Sequence, residues 1–209
     1  MRVFVSGLVS VMLLVGSALA ADQTVLGRKM RVADPLPGVN PSKRTVLVLA
    51  KERLTDNTVV GDPIADGATL EVIVNGATST SQTIAIPSGA PPISTGPGWV
   101  GKSIPGTYAI LKYVDKNGEA SPVVYLLLKW KTGSSFSLKL KLEAQGNNPP
   151  IDVVPGNPTS DLGIRLTLGT GDTYCVLFGG VAGGIVADGG DVVVKAAKPT
   201  GEGCPVAAP

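Results

Sequence analysis

Phe136-Ser137-Leu138-Lys139-Leu140-Lys141-Leu142-Glu143 alternates apolar and polar side chains without a break. In an extended chain successive side chains point to opposite faces, so Phe136, Leu138, Leu140 and Leu142 share one face and Ser137, Lys139, Lys141 and Glu143 the other. A helix would scatter the same residues around its circumference. The stretch is therefore a half-buried strand, and the same period runs through its neighbours. Leu162, Ile164, Leu166 and Leu168 alternate around Arg165 and Thr167, and Tyr174, Val176 and Phe178 alternate again. Further strands are expected over 25–32, 44–51, 69–75, 82–86, 108–114, 123–131 and 192–196, most of them rich in β-branched or aromatic residues. Residues 45–50 and 125–128 are apolar at consecutive positions, which predicts strands covered on both faces.

Between these runs lie turn signals. Asn117-Gly118 and Asp66-Gly67 can take the positive φ of tight turns, and Thr132-Gly133-Ser134 can join the two longest strands as a hairpin. No stretch after the first twenty residues holds a 3.6-residue period over three turns. About ten strands broken by 27 Gly and 17 Pro predict an all-β fold, an antiparallel β-sandwich or partly closed barrel, following a cleaved N-terminal signal helix. Two Pro/Gly/Ser-rich stretches, 87–98 and 146–158, have the composition of linkers, and the second is the better boundary. The segment beyond it has about 50 residues, thin for a core of its own. The expected organisation is a signal peptide over 1–20 and one β-rich domain over 21–209, with 159–209 as a dependent C-terminal lobe at most.

The leader reading rests on Arg2, on an apolar stretch from Val3 to Val15, and on Ala18-Leu19-Ala20, which places small residues where a signal peptidase inspects them. Cleavage between Ala20 and Ala21 is expected. The apolar stretch is short for a membrane helix, which needs roughly 20 residues, and no later run matches it, so no transmembrane span is expected in the mature chain. Removal of Arg2 leaves 17 basic against 16 acidic residues, a balance that argues against nucleic acid as a partner. The destination is outside the cytoplasm: periplasm, outer surface or medium. There a disulfide persists, and Cys175 and Cys204 are expected to pair. A loop of about 30 residues closed in this way is worth roughly 3 to 4 kcal/mol by the chain-entropy model.

The chain has no histidine. The usual general base and the commonest metal ligand are thereby missing, and a Ser-His-Asp arrangement is excluded. Gly96-Pro97-Gly98-Trp99-Val100-Gly101-Lys102-Ser103 satisfies the phosphate-loop pattern letter by letter, but Ile104-Pro105-Gly106 follows, and Pro and Gly cannot carry the helix that the chemistry requires. No nucleotide and no other cofactor is expected. The glycine-rich run from Gly179 to Gly190 fits neither a dinucleotide fingerprint nor a calcium-binding repeat and is expected to form a hairpin or mobile loop. Glu52, Glu71, Glu119, Glu143 and Asp115 could serve a carboxylate-only glycosidase, and Asp62, Asp66, Asp188 and Asp191 a calcium site, but strand faces and turns account for them more simply. Aromatic residues make up only 4% of the chain. Trp99, Trp130 and Tyr108 are the candidates for stacking on a sugar, with Tyr113 and Tyr125 as further members, although Trp130 shares a strand face with Leu126 and Leu128.

Gly171-Asp172-Thr173-Tyr174-Cys175-Val176-Leu177-Phe178-Gly179-Gly180, followed by Cys204-Pro205, resembles a C-terminal signature of uncharacterised secreted proteins from environmental Gram-negative bacteria. The resemblance covers the last fifth of the chain. It implies the disulfide and an exported β-rich architecture, with no activity attached. The expected function is that of a secreted, non-catalytic structural or binding protein with a glycan or a surface protein as partner. A carbohydrate-binding β-sandwich module is the alternative, and a carboxylate-dependent glycan-active enzyme comes after it.

Overall fold

A computed structural model describes residues 20–91, 96–104, 108–144, 150–156, 159–179, 185–188, 191–195 and 203–208, with the backbone alone at 108, 185–188 and 191–195. The expected signal helix lies outside the described residues. The strands are β1 (Asp22–Thr24), β2 (Gly27–Ala33), β3 (Thr45–Arg53), β4 (Ala68–Gly76), β5 (Thr80–Ile86), β6 (Gly98–Ile104), β7 (Tyr108–Val114), β8 (Val123–Lys131), β9 (Ser135–Glu143), β10 (Thr159–Leu168), β11 (Thr173–Gly179), β12 (Ile185–Asp188) and β13 (Asp191–Lys195). A single α-helical turn, α1 (Pro63–Asp66), is capped by the Asp62 carboxylate, which accepts from the backbone N–H groups of Ile64 and Ala65.

The strands form two sheets. One has the order β1-β11-β10-β4-β5, the other β12-β13-β2-β3-β9-β8-β7-β6, and neither closes on itself. The fold is an all-β sandwich. The alternation that identified β9 determines its place: Phe136, Leu138, Leu140 and Leu142 are buried and face the second sheet, as do Val46, Val48 and Ala50 of β3 and Leu126 and Leu128 of β8. Leu70, Val72 and Val74 of β4, Leu162, Ile164, Leu166 and Leu168 of β10, and Tyr174, Val176 and Phe178 of β11 meet them from the smaller sheet. The rings of Phe136 and Tyr174 stack at 5.3 Å between centroids and join the two layers near one end of the sandwich. The Tyr174 hydroxyl accepts from Val60 N–H at 2.7 Å and donates to the Thr58 carbonyl at 3.0 Å, so this polar tip is satisfied by the loop that closes one end of the sandwich.

Three sequence expectations need correction. β6 runs through the segment expected to be a loop, because Gly98 at φ 153° seats against Ala90 and Pro91 and the chain then extends along β7 in register from Gly98 opposite Val114 to Ile104 opposite Tyr108. Residues 150–156, expected as linker, plug the open side of the sandwich beside β5. Ile151 and Val153 are fully buried, and the side chains of Gln82 and Thr80 supply the hydrogen bonds that a neighbouring strand would otherwise make, to Pro150, Asp152 and Val154. Residues 45–50 and 125–128 are covered by the other sheet on one face only. On the other, Leu47, Leu49 and Leu127 are half-buried among lysines, whose aliphatic stems can shield an apolar surface while their charges stay in water.

The segment 159–209 shares both sheets with the rest of the chain: β10 lies between β4 and β11, and β13 pairs with β2. The order also departs from pure antiparallel pairing, since β1 adds to β11 in parallel. Cys175 and Cys204 form the expected disulfide, 29 residues apart. It draws residues 203–208 across the outer face of the smaller sheet. Gly163 leaves room for Pro205, because a Cβ there would lie 2.9 Å from the proline ring and 2.4 Å from the Val176 carbonyl oxygen. The Asn75 carboxamide holds the same segment through Val206 O and Ala208 N. Replacing Cys175 and Cys204 by Ser should lower unfolding free energy by about 3 kcal/mol. Denaturant titration of the oxidised and the double-serine chains measures it.

Candidate functional site

The outward positions of the larger sheet follow from alternation and register. On β3 they include Thr45, Leu47, Leu49, Lys51 and Arg53, and on β9 Ser135, Ser137, Lys139, Lys141 and Glu143. β8 presents Tyr125, Leu127, Lys129 and Lys131, β7 Ile110, Lys112 and Val114, β6 Val100, Lys102 and Ile104, and β2 Lys29 and Arg31. The face thus carries ten cations, eight Lys and two Arg, and Glu143 is the single carboxylate among its described side chains.

Their spacing is regular. Pairing puts Lys29 beside Leu49, Leu49 beside Lys139, Lys139 beside Leu127 and Leu127 beside Lys112. The next row reads Arg31, Leu47, Lys141, Tyr125 and Val114, and another reads Lys51, Ser137, Lys129, Ile110 and Lys102. In each of these rows a neutral residue separates one cation from the next, and it is at β13, where side chains are outside the description, that a lysine, Lys195, stands directly opposite Lys29. Neighbouring strands are about 4.8 Å apart, so the cations recur every ~10 Å across the sheet. Along β8 and β9 they recur every two residues, about 7 Å.

Tyr125 is the aromatic among the described side chains of this face. Its ring is half-buried, with the ammonium groups of Lys112 and Lys139 at 5.7 and 5.4 Å from its centroid. Lys112, Lys116, Lys139, Lys141 and Glu143 border a shallow groove of about 370 Å³ around it. Lys141 pairs with Glu143, and its side chain is still 45% exposed. Leu54, at φ 54°, is also exposed, beside Lys51 and Arg53 where the face ends at the β8–β9 turn.

The acidic residues are committed elsewhere. Asp34 pairs with Arg44 at 3.1 Å in a buried corner, and Glu71 with Arg165 at 3.4 Å on the smaller sheet. Glu52 accepts from Thr55 and Asn57, and Glu119 from Asn117. Asp115, 1% exposed, accepts from the backbone N–H groups of Glu119, Ala120 and Ser121 and so shapes the β7–β8 turn. The five carboxylates weighed for hydrolysis are held by these separate partners. Asp62 caps α1, Asp66 packs against Gly169, and Asp188 and Asp191 pair at the β12–β13 turn, where side chains are outside the description. Among the described residues, the grouping of metal-ligand type is Asp22 with Cys175 and Cys204, whose sulfurs are bonded to one another.

The sugar-stacking candidates do not assemble into a platform. Trp99 is 1% exposed, donates its indole N–H to the Pro87 carbonyl at 2.8 Å and meets Tyr113 at 5.2 Å, so no face of its ring is open. Trp130 packs partly buried against the core. Tyr108 lies on β7 between Lys131 and Ile104, with its side chain outside the description. Tyr113 is buried, and desolvation followed by the nearby Asp115 charge raises its hydroxyl pKa far above the ordinary value, keeping it neutral. The phosphate-loop letters fall on the extended β6, where Lys102 points to solvent and no helix follows within the described strand. The glycine-rich run includes β12, which pairs antiparallel with β13 just beyond it.

Sequence reasoning missed the basic face. Lys129, Lys131, Lys139 and Lys141 were each visible as the polar half of an alternating strand, but the pairing of six strands that gathers them was not. Compared with protein-family models, curated proteins and solved structures, the chain matches none.

Removing a buried acceptor strands its donors. Asp115→Ala should cost about 2 to 4 kcal/mol, since three N–H groups lose their partner in a closed turn. Glu119→Ala, on the exposed side of the same turn, should change stability by no more than ~0.5 kcal/mol. Thermal unfolding of the two variants distinguishes them.

Proposed function

We propose that this is a non-catalytic binding protein that works outside the cytoplasm and holds an anionic polysaccharide on the outer face of its eight-stranded sheet. The observation that carries this reading is the segregation of charge. A chain with 18 basic and 16 acidic residues over its full length gathers ten cations and one described carboxylate on a single open face. Net charge conceals such a patch, because attraction depends on local field rather than on the sum.

Lysine predominates, and an ammonium on a flexible stem acts as a point charge that tolerates many anion geometries. That suits a repeating polymer better than one rigid phosphate. The face is open, with a shallow groove instead of a pocket, which suits an extended ligand lying across strands. Tyr125 between Lys112 and Lys139 offers an apolar ring edge beside two charges, a combination that fits a uronate or another acidic sugar. Trp99 and Trp130, engaged with the core, give no comparable support to stacking on neutral sugar chains.

The test compares binding of the mature chain to polygalacturonate, dextran, duplex DNA and anionic lipid vesicles. Binding to polygalacturonate at low salt should weaken steeply as ionic strength rises, because exposed charges are screened beyond about 10 Å at 0.1 M. The combined substitutions Lys112→Gln, Lys139→Gln and Lys141→Gln should weaken it by about tenfold or more, roughly 1.4 kcal/mol, while Lys43→Gln on the remote turn leaves it unchanged. Equal or tighter binding to DNA or vesicles, or salt-independent binding to dextran, would falsify the anionic-glycan reading.

A further inference from the structure

The β1–β11 pairing ends at a carboxylate that lacks a cation. Asp172 is 6% exposed, and its Oδ1 accepts from the backbone N–H of Ala21 at 2.9 Å while its Oδ2 accepts from the Gln23 carboxamide. Both donors are neutral, and no lysine or arginine pairs with Asp172 among the described residues. Asp172 has fewer donors than Asp115, which accepts from three backbone N–H groups, and a cation at this site would compensate its charge further. The chain around it is held closely: Thr173 N–H donates to Ala21 O at 3.0 Å, Val25 N–H to Cys175 O at 2.8 Å and Asp172 N–H to Val60 O at 3.2 Å. Gly171 lets the loop at Val60 and Gly61 approach, since a Cβ there would lie 2.5 Å from the Gly61 Cα. Beside this contact, Ala20, Val60, Gly61, Thr170 and Gly171 wall an open cavity of about 410 Å³.

The donor at 2.9 Å is the nitrogen that cleavage after Ala20 would free. We propose that signal-peptide removal supplies the missing counter-charge: the α-ammonium of Ala21 forms a salt bridge with Asp172 and locks β1 onto β11. A signal peptidase hydrolyses the Ala20–Ala21 amide. Water gives its oxygen to the Ala20 carboxyl, the C–N bond breaks, and the released amine of Ala21 takes up a proton. The nitrogen need not move. One N–H already points at Oδ1, and the cavity accommodates the added protons and the departing carbonyl. A hydrogen bond from a neutral donor to the carboxylate thus becomes an ion pair in which donor and acceptor are both charged. Export processing then completes the edge of the smaller sheet in addition to releasing the chain. The inference rests on the leader and its cleavage position and is independent of the basic face.

The experiment uses the full mature chain beginning at Ala21, the same chain N-acetylated at Ala21, and Asp172→Asn in both forms. The free amine should raise the melting temperature by about 3 to 6 °C over the acetylated chain, and the difference should vanish in Asp172→Asn. The native amine should also acylate at least about tenfold more slowly than in the unfolded chain, a readout that survives if the Asn variant does not fold. Equal melting of the free and acetylated chains, or an amine as reactive folded as unfolded, overturns the salt bridge. N-terminal sequencing of the exported chain checks the premise separately, and a start other than Ala21 overturns the proposal at that step.

Discussion

The stacked rings of Phe136 and Tyr174 tie β9, in the middle of the larger sheet, to β11 in the smaller one. The rest of the molecule depends on that contact between inner faces. A sheet with one apolar face is stable only when the face is covered, and each sheet here covers the other. Because the period of a strand is two, a slip of one residue would turn Leu138 and Leu140 outward and bury Lys139 and Lys141. Desolvating those charges is costly enough to forbid it. Core packing therefore sets the register, and the register sets the surface.

The basic face is a by-product of the core only in geometry. Inward leucines require outward partners, but they do not require lysine at so many outward sites. Serine and threonine occupy the outer face of the smaller sheet at comparable positions, as at Thr69, Ser81 and Thr83. The difference between the two outer faces is chemical, and it coincides with a second difference. The smaller sheet is crossed by residues 203–208 under the disulfide, whereas the larger one has no such cover among the described residues. One face is crossed by the chain itself, and the other carries the cations.

The first and the last described segments of the chain converge on β11. β1 pairs with it from the N-terminal side, and Cys175 at its centre binds Cys204 from the C-terminal side. An edge strand that would otherwise expose its hydrogen-bonding groups is thereby covered on its open side. Asp172, at the start of this strand, meets Ala21 through a side chain, and Tyr174 meets the loop at Val60 through its hydroxyl. Polar contacts of this kind specify which chain end docks where, while the apolar core would accept several arrangements.

Sequence alone determined the strand class, because alternation in Phe136 to Glu143 and its counterparts is a local property enforced by the pleat. It also predicted the cysteine pair and showed the absence of histidine. It could not determine which strands adjoin. β6 was hidden because Gly and Pro mark turns as often as close backbone approaches, and Gly98 serves the second purpose. Ile151 and Val153 were hidden because a core plug flanked by prolines has the composition of a linker. Trp99 was a candidate for ligand stacking until the Pro87 carbonyl and Tyr113 enclosed it. The basic face belongs wholly to the tertiary level. Charges 27 to 110 residues apart in the chain, such as Lys29, Lys139 and Lys112, share one row only through cross-strand pairing, and no pattern within one strand records it.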